Sequence, residues 1–119
     1  MRHVKIAHHG DVVVVTPHGY LVGGDETDQF ARALAELCEQ GTLKVVINLM
    51  ETDHMNSTAL GVLNAARQDF ADHNGRVRLC HLNDRIQNTL VITRLGLEFE
   101  IFETERMAVE SFAGVSAKE

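Results

Sequence analysis

The sequence lacks the features that mark linkers, repeat architectures and fibrous chains. It has no tryptophan and a single proline, and no stretch of it is rich in Ser, Gly and Pro or repeats internally. These absences argue against several domains joined by a flexible linker. We therefore interpret residues 1–119 as one domain, a length at which single domains are common.

Clusters of basic residues and long apolar runs are also missing. The 11 Lys and Arg residues are scattered among 17 Asp and Glu residues, and the formal net charge is -6. This pattern predicts no nucleic-acid partner, because phosphate backbones are bound by clustered positive charge. No run approaches the ~20 apolar residues of a membrane helix, and the N-terminus lacks a signal-peptide core. We therefore expect no membrane partner and a cytoplasmic location.

Cysteine is sparse and histidine is scattered. The 2 cysteines, Cys38 and Cys80, lie in apolar periodic segments without a CxxC motif, which predicts buried free thiols. The 7 histidines show none of the spacings typical of metal sites, and the glycines lack the spacing of a nucleotide-binding loop. The sequence therefore predicts no metal and no cofactor.

Strand patterns are present in five segments. Residues 2–8 alternate between apolar and polar side chains, and residues 12–15 are four valines. Residues 43–50 form a nearly continuous apolar run, which is typical of a parallel strand covered on both faces. Because proline cannot donate a ladder hydrogen bond, the second strand should end near Pro17. The five segments are 2–8, 12–15, 43–50, 76–82 and 97–101.

Helix patterns occupy four further segments. In each, apolar residues recur at helical spacing after a residue that commonly caps a helix N-terminus. The predicted helices are 26–40 after Asp25, a second that Asn56 caps and Asn74 and Gly75 close, a third from Asn83 or Asp84, and a fourth after Thr104. Glycine-rich residues 19–24 and polar residues 51–55 predict loops before the first two helices.

The resulting order, ββαβαβαβα, predicts an α/β fold. Strands that alternate with helices form a parallel sheet, and the opening pair adds an antiparallel strand at one side. We therefore expect a mixed, mostly parallel sheet with four helices. The polar turn after the central strand should lie at the carboxyl end of the sheet, where α/β domains usually place their sites.

That turn holds the strongest candidate for a functional residue. Ser57 is predicted at the first position of the second helix, where backbone N–H groups are unpaired and the helix dipole is positive. A phosphate on Ser57 would be tolerated there and would change the charge of the surface. Helix capping alone also explains the presence of Asn56, Ser57 and Thr58 at this turn.

A serine hydrolase is a remote alternative. Ser57, His54 and Asp53 supply the three residue types of a catalytic triad. Adjacent Asp and His side chains do not easily form the required relay, and the glycines of a nucleophile elbow are absent. We therefore expect no catalytic residues and no enzyme activity.

The whole chain resembles the STAS domains of bacterial anti-sigma-factor antagonists. The resemblance rests on the order of elements and on an apolar strand, 45–49, that leads into a turn which in the family reads Asp-Ser-Ser/Thr-Gly/Ala-Leu-Gly. It extends through residues 75–80 and 93–102. The matching turn consists of Met55, Asn56, Ser57, Thr58, Ala59, Leu60 and Gly61.

The resemblance implies a partner-switching function. The unphosphorylated domain would bind an anti-sigma-factor serine kinase and free that kinase's other client. Phosphorylation at Ser57, with Thr58 in reserve, would end the contact, and a PP2C-type phosphatase would reverse it. The implied contact surface consists of Met55, Asn56, Ser57, Thr58 and Asp25. A monomer is expected.

The sequence departs from the family pattern at two positions. Asn56 replaces the usual Asp, which removes a negative charge that can help a kinase, and Val22 stands where the family commonly has an acidic residue. Asp25 can substitute for the second. The alternative within the fold is a STAS scaffold or transporter-associated module that is never phosphorylated.

Overall fold

Seven strands and four helices lie within residues 3–113, the part of the chain that the computed structural model describes. A short 3-10 turn is also present at Leu95–Leu97. In chain order, the strands and helices are β1 (Val4–His9), β2 (Val12–Pro17), β3 (Gly19–Leu21), α1 (Asp25–Glu39), β4 (Lys44–Asn48), β5 (Thr52–Met55), α2 (Ser57–Asp72), β6 (Arg76–Cys80), α3 (Asp84–Thr93), β7 (Glu100–Phe102) and α4 (Glu105–Glu110).

Five of the strands form one mixed sheet in the order β1-β2-β4-β6-β7. The β1–β2 pair is antiparallel, whereas β2–β4, β4–β6 and β6–β7 are parallel. The predicted α/β fold, with a mostly parallel sheet and four helices, is confirmed. The second strand does end at Pro17.

One face of this sheet carries most of the hydrophobic core. Helices α1, α2 and α3 pack there, and side chains such as Phe30, Leu63, Phe70 and Ile86 are fully buried against the strands. Each large apolar side chain buried in this way stabilises the fold by about 1.5–3 kcal/mol. This face therefore fixes the positions of the helices that reach the polar turn.

Among residues 3–113, the opposite face is covered by α4 and the residues directly after it, over a small core that includes Cys80 and Phe112. It also buries a charge. Arg78 donates to the Ser111 hydroxyl at 2.8 Å, pairs with Glu100 at 3.0 Å, and lies over the Phe112 ring at 4.1 Å. Burial raises the pKa of the Cys80 thiol to about 12, with a smaller contribution from the charge of Glu105. Cys38 is likewise a buried free thiol, as predicted.

Two of the predicted loops are wrong. Residues 19–21 and 52–55 form β3 and β5, which pair with each other in a separate two-stranded sheet. Leu97, predicted in the last strand, lies in the 3-10 turn with 83% of its surface exposed. The last strand therefore begins only at Glu100.

Candidate functional site

The small sheet of β3 and β5 brings two helix N-termini side by side. The strands are parallel, with Leu21 opposite Met55, and each runs directly into a helix, β3 into α1 and β5 into α2. Leu21 is fully buried, and Gly23 lies close to Thr58, with only 3.9 Å between the Thr58 side chain and the place where a Cβ on Gly23 would stand. The candidate surface is therefore built from two chain segments about thirty residues apart.

Asn56 ties these two segments together. Its side-chain oxygen accepts from the Ala59 backbone N–H at 3.1 Å, which confirms the predicted cap of α2. Its side-chain amide donates to the Val22 carbonyl at 2.8 Å, and its backbone N–H donates to the Leu21 carbonyl at 3.0 Å. An aspartate at this position could cap the helix but has no amide N–H to donate to Val22.

Ser57 is the first residue of α2, and its side chain is exposed. Within residues 3–113, its hydroxyl makes no hydrogen bond. Thr58 is also exposed, but it lies against Gly23. The first turn of α2 carries no acidic residue, so the positive end of its dipole is not neutralised locally. This combination leaves Ser57 accessible at a helix end whose own dipole favours an anion.

Met55 does not belong to the exposed part of this surface. Its side chain is 1% exposed and packs in the main core. The Met55 side chain expected at the contact surface is therefore buried instead, like that of its strand partner Leu21. The exposed side chains of this turn, Ser57 and Thr58, follow Met55.

The sequence predicted that Asp25 caps α1, and the structure shows that it does not. Gly24 occupies the cap position with no side-chain hydrogen bond, and Asp25 is the first helical residue. The Asp25 carboxylate accepts from the Gln29 side-chain amide at 3.0 Å and lies 3.6 Å from the His3 ring. The side chain remains largely exposed beside the turn.

Gly61, the last residue of the turn that resembles the family pattern, also lies on this surface. It lies one helical turn after Ser57 on α2 and is exposed. A Cβ at Gly61 would meet nothing within 4 Å, so the fold of this chain does not require glycine there. A glycine inside a helix costs about 1 kcal/mol relative to alanine. The signal in the sequence was a helix-interior glycine on the face of Ser57.

The turn that leads into β5 is anchored by Glu51. Its carboxylate accepts from the Lys5 ammonium at 2.9 Å and lies 3.4 Å from the His18 ring. The hydrogen bond from Lys5 is the largest cause that lowers the pKa of Glu51 below its ordinary value, and His18 adds to it. These contacts join the start of β5 to β1.

The residues of the hypothetical triad do not form a relay. In the part of the chain that the structure describes, no hydrogen bond joins Ser57 to His54, and the Nδ1 atom of His54 is buried without a partner. Among the same residues no group of three His, Cys, Asp or Glu side chains is placed to hold a metal ion. No helix within residues 3–113 is long and apolar enough to cross a membrane.

Several solved structures share this fold at low sequence identity. A Thermotoga maritima protein classed with the anti-sigma factor antagonists superposes with a TM-score of 0.84 at 22% identity, over 91% of this chain and 92% of that one. An anti-sigma factor antagonist from Mycobacterium paratuberculosis gives 0.81 at 18%, over 91% of each chain. The Bacillus cell fate determinant SpoIIAA in its phosphorylated form gives 0.72 at 17%, over 91% of this chain and 97% of that one.

The sequence itself supports a family assignment. No curated protein sequence matches the chain. The family model described as the STAS domain, however, matches residues 3–108, which include every strand and most of α4. The match spans far more than half of the 119 residues and agrees with the shared fold. The chain therefore belongs to the STAS domain family.

Proposed function

We propose that this STAS domain is a cytoplasmic anti-sigma-factor antagonist that acts by partner switching. In its unphosphorylated form it binds an anti-sigma-factor serine kinase, which then releases its other client. Phosphorylation of Ser57 ends the contact, and a PP2C-type phosphatase restores it. The domain itself performs no catalytic step. The observation that carries the proposal is the exposed Ser57 side chain at the N-terminus of α2, whose first turn has no acidic residue.

A phosphate on Ser57 is compatible with the local structure. The group carries about -1.5 to -2 charges, which the free N–H groups and the dipole of α2 stabilise. The cap bond from the Ala59 N–H is made by Asn56, so phosphorylation need not displace it. Ser57 is favoured over Thr58 as the modified residue because Thr58 packs beside Gly23.

The same phosphate is incompatible with a tight contact at this turn. A partner that covers Asn56, Ser57 and Thr58 would have to remove water from a doubly charged group, and an acidic partner surface would also repel it. Asp25 lies in the first turn of α1 beside this surface and extends it. The switch therefore consists of a difference in affinity between two charge states of one side chain.

Gly61 supports a close approach of a partner to α2. The chain keeps a helix-interior glycine that costs stability and that its own packing does not require. Glycine is used where another backbone or ligand comes near. The free surface above Gly61 and Ser57 is therefore the place where we expect the kinase to contact the helix.

The proposal is tested with the purified domain and its cognate anti-sigma kinase. With ATP, intact mass should show one added phosphate on the wild type and on Thr58→Val, and none on Ser57→Ala. Calorimetry without ATP should show that Ser57→Ala binds the kinase and that Ser57→Glu binds at least about a hundredfold more weakly. Thr58→Val is the matched control, because it removes the neighbouring hydroxyl.

Two results together would contradict the switch. They are an unmodified Ser57 in the presence of active kinase and equal binding by the wild type and Ser57→Glu. That outcome would support the alternative, a STAS scaffold or transporter-associated module that binds its partner regardless of phosphorylation.

A further inference from the structure

A groove runs between α3 and β7, with mostly apolar side chains at one end and both polar and apolar side chains at the other. It consists of two adjoining cavities of 670 Å³ and 440 Å³ that share Gln87 and Ile101. Met50 lines one end, and Val91 and Leu97 line the other. Among the described residues, none of those expected to contact the kinase lines either cavity. The groove is therefore a surface separate from the turn at Ser57.

The groove brings together large apolar side chains that are exposed to water. Leu97 is 83% exposed, Val91 69%, Met50 62% and Ile101 38%. Single exposed apolar side chains are normal on proteins, but a contiguous group of large ones marks an interaction surface. Because the side chains are so open, a small molecule would leave much of their area in water, whereas a protein surface would cover it.

Opposite charges stand at the two ends of this groove. Arg94 follows the last residue of α3 and Glu103 follows the last residue of β7. Since α3 connects the parallel strands β6 and β7, it runs antiparallel to them, and the two residues lie at opposite ends. Within residues 3–113, neither side chain has an ion pair or a hydrogen bond. Both charges are therefore available to a partner.

Arg94 occupies a backbone conformation that favours glycine. Its φ is 64°, at the end of α3, where a glycine commonly terminates a helix. A non-glycine residue in this conformation costs on the order of 1 kcal/mol. Among residues 3–113, no hydrogen bond or ion pair of the Arg94 guanidinium offsets that cost. The side chain is therefore better explained by a contact outside this copy of the chain.

We propose that the groove is the interface of a two-fold symmetric dimer formed with a second copy of this chain. A two-fold axis near Gln87 and Ile101 reverses the direction of the groove. Arg94 of one copy then faces Glu103 of the other, and the same pair forms a second time by symmetry. A groove with opposite charges at its two ends is thus complementary in charge to a second copy of itself. The proposed dimer differs from the monomer expected from the sequence, and it leaves Ser57 accessible.

The first test is sedimentation equilibrium of the full chain in low salt, from about 1 to about 300 µM. The mass should rise from 13.2 kDa toward twice that value. A mass that stays at that of one chain over this range overturns the proposal. If Leu97→Lys then weakens kinase binding, the groove belongs to the kinase instead.

Leu97→Lys should weaken self-association about a hundredfold, because the change occurs twice in the dimer and both lysines would lose water. The matched control is Ile92→Lys, which lies on α3, is 71% exposed and does not line the groove. Its association should equal that of the wild type. A dimer that both variants weaken equally, or that neither weakens, overturns the proposed interface.

Charge reversal tests the symmetry of the dimer. Arg94→Glu and Glu103→Lys should each weaken association about tenfold, since each breaks two charge pairs. The double variant re-forms both pairs in reversed order and should restore most of the association. Circular dichroism establishes that each variant is folded. Additive weakening in the double variant would overturn the antiparallel arrangement.

Discussion

The two helix N-termini that meet at the candidate site are built in opposite ways. Helix α1 has a glycine cap with no side-chain hydrogen bond, and its first turn holds Asp25, Glu26 and Asp28. Helix α2 has the Asn56 cap and no acidic residue in its first turn. The positive end of the α1 dipole is therefore neutralised by acidic side chains. The first turn of α2 is instead capped by hydrogen bonds, and no acidic side chain there neutralises its dipole.

This difference explains how one of two adjacent helices can accept a modification. Adding a phosphate to the start of α1 would place it among three carboxylates, which would repel it. Adding it to Ser57 places it at a helix end that has no carboxylate of its own. Substitutions at Asn56 test this difference directly, and substitutions at Gly61 and Lys5 test the contacts around it.

Asn56→Ala removes the hydrogen-bonded cap that distinguishes α2. It breaks the bonds to the Ala59 N–H and the Val22 carbonyl, so the free energy of unfolding should fall by about 2 kcal/mol. Thermal denaturation should show Tm lower by roughly 5–10 °C. Asn88→Ala is the control, because Asn88 is exposed on α3 and its side chain makes no hydrogen bond within residues 3–113. Equal stability of the two variants would contradict the role of Asn56.

Gly61→Ala stabilises α2 while filling the space above it. The free energy of unfolding should rise by about 1 kcal/mol, since alanine favours the helix and nothing in the chain obstructs its methyl group. Kinase binding should weaken at the same time, because the methyl group occupies the expected line of approach. Ala65→Gly, four residues further along α2, should lower stability instead. A stabilised variant that binds normally would remove Gly61 from the contact surface.

Asn56→Asp makes the start of α2 resemble that of α1. The carboxylate still caps the helix and gains from its dipole, but it loses the bond to the Val22 carbonyl. The net change in stability should be less than about 1 kcal/mol. Hydrogen exchange at the backbone amides of residues 22–24 should become faster. Unchanged exchange there would mean that Asn56 does not hold this loop.

Lys5→Ala acts on the anchor at the base of β5 and has the smallest expected effect. Because the folded-state pKa of Glu51 is lowered, its pairing stabilises the protein above the ordinary carboxyl value and is lost as pH falls through the lowered pKa. Without Lys5 that pKa returns toward its ordinary value, so stability should fall less steeply below about pH 4.3. Urea denaturation at several pH values measures the slope. Arg32→Ala, an exposed cation without an ion pair in residues 3–113, should keep the wild-type slope.

The sequence predicted the elements whose signals are local. Asn56, Asn83 and Thr104 each cap the helix that they were expected to cap. The apolar run of β4 is buried on both faces, with Val46 on one side and Ile47 on the other. These features follow from one segment at a time, through capping bonds and the period of apolar residues.

Features that depend on contacts between distant segments were not predictable. Strands β3 and β5 are three and four residues long, and their pairing rests on backbone bonds between them. No alternation of apolar residues reveals strands so short. The burial of Met55 follows from the same pairing and was missed with it. Arg78 reads as a surface charge in the sequence and is buried only because α4 covers it.

The pairing of β3 with β5 also orders events during protein synthesis. Residues 19–21 leave the ribosome before the strand with which they pair, which ends at Met55. The loop before α1 can therefore reach its final position only after more than thirty further residues have emerged. When Met55 and Asn56 emerge, one pairing step sets both the loop before α1 and the first turn of α2. A nascent chain therefore cannot hold residues 22–24 in their final place until Met55 and Asn56, which directly precede Ser57, have left the ribosome.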